Sequence, residues 1–318
     1  MADTLTSLAD MVKLNDVSIQ DAGASDIFND APLLAQLMAI PATHGTKHQY
    51  LRETGAPVVG FRAANAGREW KVDSDTLISI DLKILDASFG LDRALADSYV
   101  RGPDALMARK GNRHLRAALS AGEKQFLYGT GNDSDGFVGL AQVLNDTADG
   151  MVVNATGSTA LTSVWAIRTT SDEANVNVVV GNDGEISIKP YYPCDLLDSS
   201  GKHFPGYHQP IMGWMGLTIG SAFSVARLCN VGTDSGKGLT DDLLSQLYGV
   251  FKEGAPPTHF VMNVRSQMQL QRSRTTYSPT GSEAPLPTNW NGVPIVVTGS
   301  IGNAETALTS TAVAQGTL

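Results

Sequence analysis

Cysteine is almost missing from this chain, with Cys194 and Cys229 the only two in 318 residues. That excludes a disulfide framework and leaves too few thiols for a zinc site, so both are expected to be packed in a reducing compartment. Positive charge is also scarce, 23 Lys and Arg against 32 Asp and Glu, a net charge of −9. A protein whose main task is to grip nucleic acid neutralises phosphates with surplus cations, and that class is excluded. Long apolar runs are lacking too. The longest uncharged stretch, 204–226, contains Pro205, His208, Gln209 and Pro210, and its Met215, Leu217 and Ile219 alternate as a strand does, so no membrane span is expected there. Residues 1–14 carry Asp3, Asp10 and Lys13 rather than a basic-then-apolar leader. There is no Gly-x-Ser-x-Gly elbow and no convergent Ser, His and Asp trio, so the chain is not expected to be an enzyme.

What is present is a length for two medium domains or one large domain with extensions, and an ordinary apolar fraction of 42%. Thirty-two glycines and fourteen prolines imply many turns and much β-structure. The most informative stretch runs from His44 to Lys83. Two strand-like runs, 58–62 and 69–72, flank a turn-rich tip, 63–67, with charges of both signs scattered throughout. A lone two-stranded ribbon is marginal in water, so a ribbon this long needs a partner surface, and another copy of the chain is the simplest one.

Elsewhere the periods are local. Residues 5–14 and 31–40 suggest short amphipathic pieces, the second closed by Pro41. Ile78, Ile80, Leu82 and Ile84 alternate with polar residues as a half-buried strand. A helix is expected over 86–101, then a second from Gly102-Pro103 to about Tyr128, since proline suits a first helical turn. The second helix has an apolar stripe, Ala108, Leu115, Leu119 and Phe126, and a basic stripe, Arg109, Arg113, Arg116 and Lys124. At 1.5 Å per residue it approaches about 40 Å. Strands are expected over 163–168, 175–180, 185–189, 214–227, 259–262 and 292–297. Thr240 and Asn263 are expected to cap helices over 241–253 and 264–274.

Three patterns imitate binding motifs. His44 and His48 are four apart, but Gly45 and Pro41 favour a loop and no third ligand is near. Residues 132–136, Asn-Asp-Ser-Asp-Gly, resemble the start of a calcium loop without its closing glutamate. Residues 232–238, Gly-Thr-Asp-Ser-Gly-Lys-Gly, are one residue short of a phosphate loop and place Gly238 where Ser or Thr should hold magnesium. Turns and exposed loops are the expectation for both. No cofactor or metal is assigned. The basic stripe has two readings, pairing with acids of a neighbouring subunit or loose, salt-sensitive contact with nucleic acid.

Several blocks, in order, resemble a tailed-bacteriophage major capsid protein of the Hong Kong ninety-seven type. They are Val72-Asp73 and the strand to Ile84 leading into LDRALADSYVRGPDALMARK, then EKQFLYGTGNDSDGFVGLAQVLND, TSVWAIRTT, WMGLTIGSAFSVARLCNV, HFVMNVRSQMQLQ and NGVPIVVTGSIGNAETAL. The resemblance spans about residues 31–308. It implies an α+β capsid fold with an N-terminal arm (1–42), an extended loop and its strands (43–82), a peripheral domain with a long spine helix (83–145 plus 255–318) and an axial domain (146–254). It also implies hexamers and pentamers tiling an icosahedral phage head around double-stranded DNA, assembled in the host cytoplasm. The extended loop would contact a neighbouring subunit through Arg52, Glu53, Arg62, Arg68, Glu69, Trp70 and Lys71. The implied partners are other copies, a separate scaffolding protein, the portal, a cement or decoration protein, and packaged DNA held weakly; no membrane is implied. The alternatives are an encapsulin-type nanocompartment shell, told apart by its cargo, and a phage tail or decoration protein.

Overall fold

The computed structural model describes residues 30–55, 59–67, 74–172, 174–181, 186–252, 254–276 and 282–309. A turn over 31–37 leads into β1 (Ala39–Pro41). The ribbon follows as β2 (Lys47–Gly55) and β3 (Ser74–Asp81), then β4 (Lys83–Asp86), β5 (Phe89–Asp92) and α1 (Arg93–Asp97). The spine helix is α2 (Gly102–Tyr128), with α3 (Leu140–Val143) beyond its end. Strands β6 (Val152–Asn154), β7 (Thr162–Ile167), β8 (Val176–Val180), β9 (Ser187–Ile188), β10 (Tyr192–Leu197) and β11 (His203–Gln209) come next. The chain continues through β12 (Ile211–Ile219), β13 (Val225–Val231), α4 (Asp241–Gly249) and β14 (His259–Met262). It closes with α5 (Val264–Thr276), β15 (Asn289–Trp290) and β16 (Val293–Val297).

Three sheets carry the body. The largest is ordered β15-β16-β14-β7-β13-β6, with β7 antiparallel to both neighbours and parallel pairs at β14–β16 and β13–β6. Every residue of β7 and β13 is buried, which explains why these strands lack polar alternation: both faces are covered. Trp165 and Phe260 lie at the centre of this core. A second sheet runs β1-β8-β12-β4 with β9 also on β12, and a third runs β10-β11-β5. The spine helix packs on these two smaller sheets, with Gly122 close to Met215 of β12 and Gly111 close to Gln209 of β11.

Local signals set the helix ends. Pro103 opens α2 and Asp104 lies in its first turn. Thr240 accepts the Leu243 amide at 3.3 Å, and Asn263 accepts the Ser266 amide at 2.9 Å. Helix α4 stops at Gly249, short of the expected 253.

Two expected elements differ. Residues 86–92 are extended rather than helical, because Asp86 binds the Ser88 amide at 2.8 Å in a turn and β5 then pairs with β11. Asp92 caps only the short α1 through the Ala94 amide. The expected strand over 214–227 is two strands in different sheets. Ser221 turns the chain, accepting from the Ser224 amide and hydroxyl on its carbonyl and from the Phe223 amide on its own hydroxyl.

Residues 146–254, expected as one unit, are shared between sheets. β6, β7 and β13 share a sheet with β14, β15 and β16 from beyond residue 254, joined through the β7–β14 pair, while β8 and β12 pair with β1 and β4 from before 146. Of the apolar stripe expected on α2, Leu119 and Phe126 are buried and Leu115 is half-buried; Ala108 is exposed, and Leu106, Met107 and Leu127 are buried instead. No helix among the described residues is long and apolar enough to cross a membrane.

Candidate functional site

The ribbon pairs from Lys47 opposite Asp81 to Gly55 opposite Ser74. Its hydrogen-bonded part therefore lies nearer the body than the expected runs at 58–62 and 69–72. Residues 59–62 are described but are not strand, and 69–72 lie outside the described residues. Strand alternation sorts the side chains into two faces. His48 and Tyr50, opposite Ile80 and Ile78, face the body. Both are buried, and the Tyr50 hydroxyl donates to the Ile219 carbonyl of β12 at 3.2 Å. Leu51 and Leu77, a directly opposed pair, face away and stay 66% and 60% exposed. Farther out, Val59 is exposed and Phe61 fully so.

Of the loop residues expected at an interface, Arg62 folds back on the tip and donates to the Ala66 carbonyl at 3.1 Å. Arg52 and Glu53 lie opposite Thr76 and Asp75 in the ribbon ladder. Arg68, Glu69, Trp70 and Lys71 lie outside the described residues. The apolar outer face was not singled out from the sequence, yet the alternation of Gln49, Leu51, Leu77 and Ser79 contained it. An apolar face left exposed in this way suits a docking surface.

The basic stripe of α2 divides. Arg113, Arg116 and Lys124 line an open cleft of about 530 Å³ with Asp30, Ser120 and Ser300. Arg116 ion-pairs with Asp30 at 3.0 Å. Arg109 stands apart from this cleft, half-buried, with one guanidinium nitrogen lacking a partner among the described residues.

Sequence reasoning missed two buried acids that tie the molecule together. Glu123 of α2 is fully buried and accepts the Leu33 and Leu34 amides at 2.8 and 3.2 Å and the Thr298 hydroxyl. It joins the entering chain, the spine helix and the end of β16. Glu305 accepts Arg227 at 3.1 Å, Tyr128 at 2.6 Å and Ser163 at 2.5 Å. Arg227 also donates to Ser163 and the Leu144 carbonyl and lies 5.0 Å over the Trp165 ring. Burial, reinforced by the Glu305 carboxylate, pushes the Tyr128 phenol well up. No local pattern announces either acid, since the partners lie 78 to 177 positions away along the chain.

The motif imitations are explained by their surroundings. In the loop 232–238, Asp234 accepts the Ser158 and Thr159 amides at 2.7 and 3.0 Å, so the loop's carboxylate ties it to the neighbouring turn. Those bonds hold its carboxyl down at about 2. Asp133 turns residues 132–136 by accepting the Asp135 amide, and Gln125 clamps that turn through the Phe137 carbonyl at 2.7 Å. Gly136 leaves room for this clamp, because a Cβ would meet the Gln125 amide at 2.1 Å and push that side chain aside. His44 is exposed and bonded to Thr43, whereas His48 is buried against Tyr50. Cys229 is buried in β13, which pushes its thiol up to about 11, and Cys194 lies in a different sheet.

Among the described residues the exposed features are a one-sided ribbon and a charged cleft. A chain of bacteriophage epsilon15 is similar in structure over 97% of this chain and 98% of that chain, with a TM-score of 0.70 and 19% identity. A chain of the bacteriophage JBD30 capsid is similar over 93% of this chain and 99% of that one, with a TM-score of 0.51 and 15% identity. At such identities the likeness carries the fold, which is the Hong Kong ninety-seven-type capsid fold. No curated protein matches the sequence. Residues 26–309 match the family described as "Major capsid protein GP7". That match takes in nearly the whole described chain, and the chain belongs to the major capsid protein GP7 family.

Proposed function

We propose that this capsid protein tiles the icosahedral head of a tailed phage as hexamers and pentamers and encloses double-stranded DNA. One observation carries the reading. The ribbon buries one face on its own subunit and leaves the Leu51–Leu77 pair uncovered on the other, with Val59 and Phe61 exposed farther out. In a shell built from many copies, the surface able to cover that face is a neighbouring subunit, in an arrangement each copy repeats. Arg52, Glu53, Arg62, Arg68, Glu69, Trp70 and Lys71 would add polar contacts around the apolar face. Many modest contacts per subunit then sum to a stable closed shell.

Strand pairing supports a division into four parts. The arm is 1–42 and the extended loop 43–82. The axial domain is drawn around the six-stranded sheet, and the peripheral domain around the spine helix and the two smaller sheets, in place of an axial unit confined to 146–254. A separate scaffolding protein, the portal and a cement protein complete the partners, and assembly takes place in the host cytoplasm. The net charge of −9 suits weak, non-specific contact with packaged DNA, which must leave again. The role is structural, with no catalytic step.

Electron microscopy of the purified protein, alone and with its scaffold, tests this. Uniform shells tens of nanometres across are expected. Deleting residues 62–68 should leave a soluble subunit that fails to close shells; normal shells from that deletion would overturn the account of the ribbon. Shells filled with protein rather than DNA would favour the nanocompartment alternative.

A further inference from the structure

The cleft on the spine helix gathers three cations, Arg113, Arg116 and Lys124, around one acid, Asp30. Arg116 takes that acid at 3.0 Å. Arg113 and Lys124 stay exposed, with no ion-pair partner among the described residues. A subunit of net charge −9 therefore holds a local surplus of positive charge here. The turn after β16 forms a second wall. Ser300 lies there at 5% exposure, and its hydroxyl has no hydrogen-bond partner among the described residues. Its place is fixed, because its amide donates to the Thr298 hydroxyl oxygen at 3.0 Å and that hydroxyl donates to buried Glu123 of the spine helix. A buried donor without an acceptor costs free energy that a ligand oxygen would restore. Gly299 beside it is exposed, with open space where a side chain would stand, so a ligand can approach.

Two separated cations and a hydroxyl on another wall suit a phosphate better than a carboxylate. A guanidinium fork matches phosphate oxygens in pairs, and a phosphate keeps a further oxygen for the hydroxyl. The cleft, at about 530 Å³, is larger than one phosphate ion needs and falls in the range of sites for nucleotide-sized groups. Arg113 and Lys124 stand about 17 Å apart along the helix axis, roughly five steps of a nucleic-acid strand at about 3.4 Å each. A short run of backbone can therefore meet both cations.

We propose that this cleft is a phosphate-binding site, in which Arg113 and Lys124 neutralise the anion and the Ser300 hydroxyl donates to one of its oxygens. The phosphodiesters of packaged nucleic acid and free phosphate share that chemistry. The site stands on an isolated subunit; only its nucleic-acid source rests on the reading of the protein as a shell around DNA.

The test uses the unassembled full-length subunit, with inorganic phosphate and a single-stranded DNA of about ten nucleotides, long enough to span both cations, as probes. Amine labelling of Lys124, read by mass spectrometry, should slow in a saturable way as probe is added. Protection by DNA at lower concentration than by phosphate supports the site with nucleic acid as its source; protection by phosphate alone supports it with the free ion. Ser300→Ala should keep the unfolding midpoint and weaken probe binding about tenfold, the low end for a hydrogen bond to a charged group. In R113Q/K124Q, DNA binding followed by fluorescence anisotropy should lose about 1.4 from the slope of log K against log salt, at about 0.7 per cation. Unchanged binding in Ser300→Ala would reduce the cleft to diffuse surface charge and overturn the proposal. So would the absence of protection by either probe. Lys124 protection that grows with subunit concentration and ignores both probes would assign the cations to an acidic surface of a second copy instead, and refute it.

Discussion

In the six-stranded sheet every residue of β7 and β13 is buried, whereas in the ribbon only alternate residues are. The two regions share a backbone geometry and differ in where their partners are. The sheet finds all of them within one chain, including a buried ion pair, Arg227 with Glu305, at 7% and 10% side-chain exposure. The ribbon finds half of them, through Tyr50 and its neighbours on β12, and presents Leu51 and Leu77 outward. A residue's contribution to subunit stability and its contribution to assembly should therefore separate between these regions.

The sharpest break is Arg227→Met. It would leave Glu305 charged and buried without its cation, and Ser163 and the Leu144 carbonyl without a donor. Loss of one partner of a buried pair costs about 3–5 kcal/mol, which denaturant unfolding of the unassembled subunit should detect. Adding Glu305→Gln should recover part of that loss, because the two changes remove the same interaction. A cost below about 1 kcal/mol would mean that the chain after β16 is held by other contacts.

Glu123→Ala should come next, at about 1–3 kcal/mol, since two backbone amides and Thr298 lose a charged acceptor. Its signature is local. Hydrogen exchange at Leu33 and Leu34 should speed up, while the amides of β7 and β13 keep their protection. Uniform acceleration would show that the entering chain and the core open together.

The smallest effect on the subunit is expected from Leu51→Ser combined with Leu77→Ser, within about 0.5 kcal/mol, because both side chains are already in water. The same variant should lose shell closure under the microscope. A clear loss of subunit stability, or unimpaired shells, would each erase the contrast between the two regions.

Much of the local structure was legible. Gly102-Pro103 and Tyr128 bracket the spine helix as expected, and Thr240 and Asn263 cap the helices they precede. The order of blocks carried the family resemblance. The candidate surface was legible in part. The need for a partner to the ribbon could be argued from its length, but the paired strands lie at 47–55 and 74–81, and the apolar outer face emerges only once the register is known. The basic stripe was visible on a helical wheel, yet its division, with Arg109 outside the cleft, depends on the positions of Asp30 and Ser300.

The sequence by itself determined what short-range physics controls: helix periods, caps, turn residues and alternation within a strand. These involve groups a few residues apart, whose geometry the backbone already restricts. Only the tertiary structure decided which strands share a sheet, why residues 214–227 divide between two, and which acids are buried. A strand has two open edges and no local preference for a partner. Leu33 meets Glu123, and Arg227 meets Glu305, because packing closes long loops around them.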